Sequence, residues 1–396
     1  MSSVLRKEAF RLPEGLVYLD GNSLGPLPHS AATRVADVVQ SEWGQLLIKG
    51  WNAAGWMEQP SRVGDRIGRL IGAPPASVVV GDTLSIKVYQ AVASAIKLVP
   101  DRNVILSDAH NFPSDLYMVE GLVGLLGGNY RLKTVDPEAV FDAIDETVAV
   151  VLLTQVDYRT GRVHDMKRLT DRAHQNGAVM VWDLAHTAGA LPVDIAASGA
   201  AFAVGCTYKY LNAGPGAPAF IYVRPDLVEN VEPALSGWLG HRAPFEFAER
   251  YAPGKGIERM RVGTPPVLQM AALEAALDVW DDVDMQDLRA ACIDLQEYFI
   301  SEVEARIPEW QLVSPREADK RGSQVSFSHE EGYAVVQALI SLDVIGDFRM
   351  PDIMRFGFTP LFLDKADIEL AVQRIERVMK DRLWDNPAFK TRKAVT

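Results

Sequence analysis

Short apolar runs alternate with helix-like patterns through the middle of the chain. The runs are rich in β-branched residues and apolar at consecutive positions, which is typical of strands buried on both faces. The stretches between them repeat apolar residues with the period of amphipathic helices. This alternation predicts an α/β fold with a mostly parallel central sheet covered by helices. The predicted strands are 77–82, 102–108, 148–156, 178–183, 201–207 and 218–224, and the predicted helices are 83–99, 113–126 and 165–176.

The pattern changes after Pro266. The segment VLQMAALEAALDVWDDV (267–283) predicts a long amphipathic helix, SQVSFSH (323–329) predicts a strand, and the charged stretch 365–385 predicts a further helix. We therefore predict a large ligand-binding domain of residues 44–265. Residues 1–43 and 266–396 are expected to form a smaller α+β domain.

Composition excludes several classes of protein. A net charge of −12 over 396 residues argues against a partner that is nucleic acid or an acidic membrane. No apolar run reaches the length of about 18 residues that a membrane span needs, and the N-terminal MSSVLRKEAFRLPEG has no apolar region of a secretory signal. Two cysteines are too few for a disulfide framework and predict no metal site, so we expect a cytoplasmic protein.

Charged residues at the ends of two successive strands point to a reactive site. Asp183 ends the strand VMVWD, and Lys209 follows the next strand in GCTYKYLNAGPG. Lys209 is the only charged residue from Ile195 to Val223, whereas 23% of the whole chain is charged. A lysine in such an apolar stretch is costly unless it is paired or chemically changed. Pyridoxal phosphate suits this pair, because a lysine forms its Schiff base and an acid faces its pyridine nitrogen. A buried Asp–Lys salt bridge is the alternative.

Two further segments predict contacts to that cofactor. GDTLS (81–85) lies between a strand and a helix, so the N–H groups of Leu84 and Ser85 can bind a phosphate; a plain helix cap is the alternative. Tyr208 can reach the phosphate or act as an acid or base. In SDAHNFPSDLYM (107–118), Phe112 can stack on the ring or pack in the core. Asp115 is either a helix-start residue or a second acid beside the ring.

Eight segments of the chain resemble those of a known family. The segments YLDGNSLGPLP (18–28), NFPSD, TGRVHDM, WDLAHTAGALP, GCTYKYLNAGPG, GWLGH, GTPPVL and MRFGFTPLF (354–362) are similar to those of the kynureninases. These enzymes belong to the aminotransferase class V group of fold-type I pyridoxal-phosphate enzymes. The resemblance implies that fold, and hydrolysis of L-kynurenine to anthranilate and L-alanine in tryptophan degradation. The 3-hydroxylated substrate is expected to react less well.

The resemblance also assigns roles to individual residues. Lys209 would hold the cofactor, and Tyr208 and Asp183 would complete the catalytic group. Family members are homodimers, and the neighbouring subunit would contribute phosphate contacts from the positions of Trp238 and Thr264. The cofactor-binding set implied is Leu84, Ser85, Phe112, Pro113, Ser114, Asp115, Thr154, Asp183, His186, Tyr208, Lys209, Trp238 and Thr264.

Three residues are expected to bind the substrate. Arg355 matches the family arginine that binds the α-carboxylate, and its planar fork suits bidentate contact. Trp51 and Asn22 are the other candidates. Trp51 and Thr264 stand where vertebrate relatives carry histidine and asparagine, which favours unhydroxylated kynurenine.

The mechanism expected from these roles uses Lys209 as the base that removes the α-proton. Quinonoid and ketimine forms follow, water adds to the γ-carbonyl, and the gem-diol collapses with C–C cleavage. Tyr208 is the candidate acid or base for the later proton transfers.

Three other functions are alternatives. A cysteine desulfurase needs a mobile nucleophilic cysteine after the lysine, but Cys206 precedes Lys209 in a strand and Cys292 falls in a helical run. An aminotransferase is possible, although Arg355 has no obvious partner arginine for a second carboxylate. A non-catalytic protein of the same fold would be expected to carry a basic patch or a DNA-binding extension, and neither is visible.

Overall fold

The computed structural model describes residues 4–392. The strands are β1 Phe10–Arg11, β2 Val17–Tyr18, β3 Leu27–Pro28, β4 Val78–Val80, β5 Val104–Asp108, β6 Arg131–Val135, β7 Val148–Thr154, β8 Val179–Asp183, β9 Phe202–Gly205, β10 Phe220–Val223, β11 Gln311–Leu312, β12 Gln324–Ser328, β13 Val344–Ile345, β14 Asp347–Arg349 and β15 Ile353–Gly357.

The α-helices surround these strands on both sides. They are α1 His29–Asp37, α2 Gly50–Ala53, α3 Gln59–Leu70, α4 Leu84–Leu98, α5 Pro113–Leu125, α6 Val140–Ala143, α7 Met166–Gln175, α8 Ile195–Ser198, α9 Val267–Ala276, α10 Met285–Arg306, α11 Gly332–Ile340, α12 Lys365–Lys380 and α13 Pro387–Lys390. Between residues 4 and 392, no helix is both long enough and apolar enough to cross a membrane.

A seven-stranded sheet forms the centre of the fold, in the order β4-β10-β9-β8-β7-β5-β6. β10 runs antiparallel to both of its neighbours, and the remaining pairs are parallel. Every residue of β7 and β8 is buried, which explains their continuous apolar sequence. The predicted mostly parallel sheet is therefore confirmed. The sequence analysis missed β6, because this edge strand is partly exposed and carries polar residues.

Parallel strands bring their carboxyl ends to one edge of the sheet, where ligands bind in folds of this type. Thr154 and Asp183 end β7 and β8 and lie directly opposite one another. The helices α4 and α5 begin just after β4 and β5 end, so their N-termini lie at the same edge. The sheet thus gathers residues that are far apart in the sequence.

A second sheet lies in the C-terminal part of the chain, in the order β11-β12-β15-β14, with antiparallel neighbours. β2 pairs with β13 in parallel, so the N-terminal residues pack against the C-terminal part. The division into 44–265 and 1–43 with 266–396 stays a prediction. The long helix predicted over 267–283 is shorter than expected: α9 ends at Ala276, and a 3-10 turn continues over Leu277–Trp280.

Candidate active site

Lys209 lies just beyond β9 and points towards the edge where β7 and β8 end. Its Nζ is 2.9 Å from His186 Nε2. Burial, together with the charge of Lys209, holds the pKa of His186 well below its usual range. A neutral imidazole can accept a hydrogen bond from the ammonium group, so the lysine has a partner that does not neutralise its charge. His186 Nδ1 is buried without a hydrogen-bond partner among residues 4–392.

Asp183 is held in place at the end of β8 by its neighbours. Its Oδ1 accepts a hydrogen bond of 2.8 Å from the backbone N–H of Ala185. Its Oδ2 lies 3.3 Å from Thr154 Oγ1, and that hydroxyl also lies against Asn111 Oδ1. Burial raises the pKa of Asp183, and Lys209 opposes the shift. The carboxyl is therefore fixed in orientation but incompletely compensated in charge.

Asp115 is a second buried acid beside Asp183. It occupies the first turn of α5 and is 1% exposed, and neither of its oxygens has a hydrogen-bond partner in the described chain. Burial and the neighbouring charge of Asp183 raise the pKa of Asp115 well above its usual range. Asp115 is thus a helix-start residue and also lies beside Asp183, and its role beside the ring stays a prediction.

Two helix N-termini meet beside this pair of acids. Ser85 in the first turn of α4 and Ser114 in the first turn of α5 have their hydroxyl oxygens 2.9 Å apart. Neither helix has a side-chain cap: Thr83 and Phe112 occupy the capping positions without capping hydrogen bonds. The backbone N–H groups of Leu84, Ser85 and Ser114 therefore have no acceptor among the described residues, whereas Pro113 has no N–H and that of Asp115 donates to the Phe112 carbonyl. The two helix dipoles also favour an anion here. The plain helix cap considered as the alternative for 81–85 is not formed, because Thr83 occupies the capping position of α4 without a side-chain hydrogen bond.

Aromatic rings border the lysine. Its Nζ lies 5.9 Å from the centre of the Phe112 ring and 5.8 Å from that of Tyr208. Phe112 is 41% exposed and makes an edge contact with Tyr158 at 5.2 Å, so it does not pack in the core. Pro113 follows it as the first residue of α5. Burial, and then the nearby Cys206, raise the pKa of Tyr208, which keeps its hydroxyl protonated.

Arg355 lies on β15 of the smaller sheet, directly opposite Asp347 of β14. Its Nε is 2.6 Å from Asp347 Oδ1, and its Nη2 donates to Asp347 Oδ2 and, at 3.0 Å, to Ser23 Oγ. Its Nη1 donates to the backbone carbonyl of Tyr158. Arg355 is 2% exposed. A surface arginine is thus excluded, and the expected bidentate contact with a substrate is already made with Asp347.

Two more charged groups complete the surroundings of Arg355. Arg349 Nη2 lies 2.9 Å from Asp347 Oδ2. Sequence analysis found no partner arginine for Arg355, and the structure supplies one that shares its carboxylate. Asp20 is half-buried nearby, and its buried Oδ1 has no hydrogen-bond partner among the described residues. Although burial opposes it, Arg355 holds the pKa of Asp347 below its usual range.

The loop after β2 connects the two groups of residues. Asn22 is fully buried against Gly357, where an added Cβ would lie 2.2 Å from Asn22 Oδ1. Gly25 packs just as closely against Lys209, because a Cβ added to Gly25 would lie 2.3 Å from the Lys209 carbonyl oxygen. Both polar atoms of the Asn22 amide are buried without partners in the part of the chain described. The predicted substrate residue Asn22 thus lies against the end of β15, the strand that carries Arg355, and its loop also contacts Lys209 through Gly25.

Two predicted residues, Trp51 and Trp238, lie apart from this cluster, and a third, Thr264, lies beside the segment 81–85. Trp51 packs edge-on against Trp56 with 5.6 Å between ring centres, and Trp238 packs against Phe245 at 5.8 Å. Thr264 is exposed and lines a small pocket with Gly81, Asp82 and Lys87. Among residues 4–392, no hydrogen bond or ring contact joins any of the three to Lys209.

Sequence analysis missed several residues that the structure places at the site. Asn111, Tyr158, Asp20, Asp347 and Arg349 all contact or adjoin a predicted site residue. Asn111 and Asp20 fall inside segments that carry the family resemblance, so their polarity next to a strand end was the available signal. Tyr158 binds Arg355 through its backbone carbonyl, which leaves no trace in residue type.

The two cysteines are unpaired and buried. Burial raises the pKa of both thiols. Cys206 lies 3.8 Å from the carbonyl of Ala185, and Cys292 lies 3.6 Å from that of Phe358. A desulfurase nucleophile must be accessible and ionisable, and neither thiol is.

Comparison with known proteins identifies the family. A family model described as the kynureninase C-terminal domain matches residues 288–375. A kynureninase from Pseudomonas fluorescens is 48% identical over 98% of this chain and 95% of its own length. The chain belongs to the kynureninase family. A kynureninase from Burkholderia pseudomallei (strain 1106a) is 46% identical over the same shares of the two chains.

Solved structures show that this member of the kynureninase family shares its fold with cysteine desulfurases. The apo enzyme from Thermococcus onnurineus NA1 superposes with a TM-score of 0.81 at 17% identity, over 95% of this chain and 97% of its own. The enzyme CsdA from Escherichia coli gives 0.77 at 17% identity, over 94% and 97%. The predicted fold class is thus confirmed. At this identity the likeness concerns the fold alone, and the desulfurase alternative gains no support from the buried thiols.

Proposed function

We propose that the chain is a pyridoxal-phosphate-dependent kynureninase that hydrolyses L-kynurenine to anthranilate and L-alanine. The observation that carries this proposal is the grouping of Lys209, Asp183 and Asp115 at one edge of the sheet, next to two uncapped helix N-termini. Family membership at 48% identity supports the same conclusion.

The side chains fit the cofactor at both of its ends. The unpartnered Asp115 oxygens and the raised pKa of Asp183 indicate acids that a cationic ring nitrogen would stabilise. The Ser85 and Ser114 hydroxyls, with the free N–H groups of their helices, suit a phosphate. Phe112 stands beside Lys209 with an exposed ring face that a pyridine can cover.

Each residue then has a defined task. Bound pyridoxal phosphate supplies an electron sink for the carbanion at the substrate Cα. Lys209 would be its attachment point and would take the α-proton. Asp183 would hold a proton on the ring nitrogen, and Thr154 and Asn111 lie where they can fix the orientation of the Asp183 carboxyl group. Tyr208, which stays protonated, donates a proton in the later steps as water adds to the γ-carbonyl and the Cβ–Cγ bond breaks.

The direct test is release of fluorescent anthranilate when the protein, loaded with pyridoxal phosphate, is mixed with L-kynurenine. Lys209→Ala should remove both turnover and the visible absorbance of the lysine-bound cofactor. Lys167→Ala is a matched control, because Lys167 is exposed and pairs only with Asp171 in the same helix. Failure of the wild-type protein to release anthranilate, or turnover by Lys209→Ala, would contradict the proposal.

We also propose a homodimer in which Trp238, Thr264 and Trp51 serve the partner's site. No hydrogen bond or ring contact joins any of the three to Lys209 within the described chain, and exposed apolar side chains lie near Trp51 and Trp238. Trp43, Leu47 and Ile48 are exposed close to Trp51, and Phe245 and Phe247 are exposed close to Trp238. Contiguous exposed apolar surface of this kind is typical of an interface.

Mixed dimers test this arrangement. Lys209→Ala and Trp238→Ala should each lower activity, and a dimer formed from one of each would contain one site with both residues intact. Recovery of activity after the two variants are mixed and allowed to exchange subunits supports the shared site. Absence of recovery, together with a monomer in sedimentation, would contradict it. We further propose a cytoplasmic location, because both cysteines are reduced.

A further inference from the structure

We propose that Asp347 is a positioning residue, which holds the Arg355 guanidinium so that a single Nη1 edge is offered to the substrate α-carboxylate. The inference rests on the proposed function and deepens it. It replaces the expected bidentate contact of Arg355 with a one-sided contact to a preset cation. Asp347 itself touches neither cofactor nor substrate in this proposal.

The hydrogen-bond donors of Arg355 support this role for Asp347. A guanidinium has five N–H groups in a fixed plane. The N–H groups of Nε and Nη2 donate to the two Asp347 oxygens and to Ser23 Oγ. One Nη1 hydrogen is donated to the Tyr158 carbonyl. One Nη1 N–H is therefore left without a partner among the described residues.

The remaining N–H is on the same nitrogen that binds Tyr158, whose ring contacts Phe112. The free edge of Arg355 is thus tied to the loop that borders Phe112 and Lys209. Asn22 lies beside the same strand, and its amide has no hydrogen-bond partner in the described chain. A carboxylate bound at Nη1 can take its second hydrogen bond from Asn22 Nδ2.

The charges of the cluster agree with an anion site. Ser23 Oγ donates to Asp347 Oδ2 at 2.6 Å while it accepts from Arg355, so serine, acid and arginine form a closed ring of hydrogen bonds. Arg349 supplies a second positive charge to the same carboxylate. With Asp347 ionised and Asp20 protonated, the two arginines leave one net positive charge for the substrate.

A competing role for Asp347 predicts the opposite result. If Asp347 only occupied Arg355 until substrate displaced it, the neutral Asp347→Asn variant would bind a carboxylate more tightly. If Asp347 positions Arg355, the same change removes one acceptor and places an amide N–H against the guanidinium. The arginine would then turn away from the substrate, and binding would weaken. The sign of the change in KM therefore separates the two roles.

The test compares Asp347→Asn with wild-type holoenzyme. We expect KM for L-kynurenine to rise about tenfold or more, as for loss of charge-assisted hydrogen bonds, with kcat little changed. Calorimetry should show weaker binding of L-alanine, whereas L-alaninamide, which lacks the carboxylate, should bind as it does to wild type. Glu297→Gln is the matched control, because Glu297 pairs with the equally buried Arg321 away from the site.

The outcomes are decisive in either direction. An unchanged or lower KM in Asp347→Asn, or equal loss for alanine and alaninamide, overturns the proposal. If Asp347→Asn does not fold, Ser23→Ala removes one link of the ring without a change in charge. It should raise KM about threefold, and an unchanged KM there overturns the proposal too. Wild-type turnover of kynurenine is measured first, so failure of the proposed function would be seen separately.

Discussion

Two pairs of acids lie at the candidate site, and their surroundings differ. Asp115 and Asp183 lie at the edge of the large sheet, facing one lysine that binds a neutral histidine. Asp20 and Asp347 lie at the smaller sheet, among two arginines and a serine. In the first pair both carboxyl groups have a raised pKa. In the second, the pKa of Asp347 is lowered and that of Asp20 is raised to about 8.

The difference shows what each pair still requires. A buried acid is stabilised only by a nearby cation or by hydrogen bonds. Asp347 has both cations and hydrogen-bond donors within its own chain, so its negative charge is already compensated. In the first pair, Asp183 accepts a hydrogen bond from Ala185 and lies near the Thr154 hydroxyl, but neither oxygen of Asp115 has a hydrogen-bond partner among the described residues. Lys209 is the cation that opposes the raised pKa of both acids, and a second cation from a bound molecule would stabilise them further. Under the proposed function, the first pair would face the cofactor, and the second would orient a group that faces the substrate.

The largest effect is expected where the first pair is broken. Asp183→Asn removes the charge that holds a proton on the ring nitrogen, and turnover should fall about 100- to 1,000-fold. Asp115→Asn should cost about tenfold or less, because burial and Asp183 raise the pKa of Asp115, which favours its neutral form, and a neutral amide resembles that form. Steady-state rates with L-kynurenine and the absorbance of the bound cofactor measure both. Equal losses in the two variants would contradict the assignment.

A pH effect of intermediate size is expected from the second pair. Burial and Asp347 raise the pKa of Asp20 to about 8, so Asp20 is neutral below that pH and adds a negative charge above it. The charged or titratable groups that face Asp20 are Asp347, Arg355, Arg349, Tyr18 and Tyr210.

Ionisation of Asp20 cancels the net positive charge that attracts the substrate carboxylate. KM should therefore be flat below pH about 8 and rise above it, by at most about tenfold per pH unit. Asp20→Asn should remove this rise, which steady-state assays across the range would reveal. The same rise in the variant would show that another group is responsible.

The smallest effect is expected from a neutral hydrogen bond to the first pair. Thr154→Val keeps the shape of the side chain but removes the hydroxyl between Asn111 and Asp183. Turnover should fall a few-fold, corresponding to about 1 kcal/mol. Thr170→Val is the control. Thr170 lies in α7, and its buried hydroxyl accepts a hydrogen bond from the indole N–H of Trp182 in β8. It should lower thermal stability and leave turnover unchanged, and a matching loss of turnover in both would refute the distinction.

The two pairs were not equally visible in the sequence. Asp183 and Lys209 follow apolar strands that are neighbours in the sheet, so the strand pattern was sufficient to bring them together. Asp347 follows no recognisable strand, since β14 and β15 are short and were not predicted, and its partner Ser23 is 324 residues away. Arg355 was found only because of its resemblance to a family arginine, and the residue that engages it had no signal in one sequence.

The sequence also could not show which predicted residues contact Lys209 in the same chain. Trp51, Trp238 and Thr264 resemble ordinary loop and helix-end residues. Their separation from Lys209 depends on the three-dimensional path of the segments 38–56 and 236–266. Lys87 is a buried residue that the sequence did not reveal. It occupies an ordinary position in α4, yet it is fully buried and bound to Asp82, Gln90 and the carbonyl of Met260.

The loop of residues 20–25 has a consequence for how the protein is made. Its contacts join the beginning of the chain to residues near the end: Ser23 Oγ meets Arg355 across 332 positions, and β2 pairs with β13. A ribosome releases the N-terminal residues long before Arg355 exists, so this loop cannot make its contacts with Arg355 and β13 until the C-terminal part of the chain has been synthesised. Formation of these contacts is therefore a late event in biosynthesis.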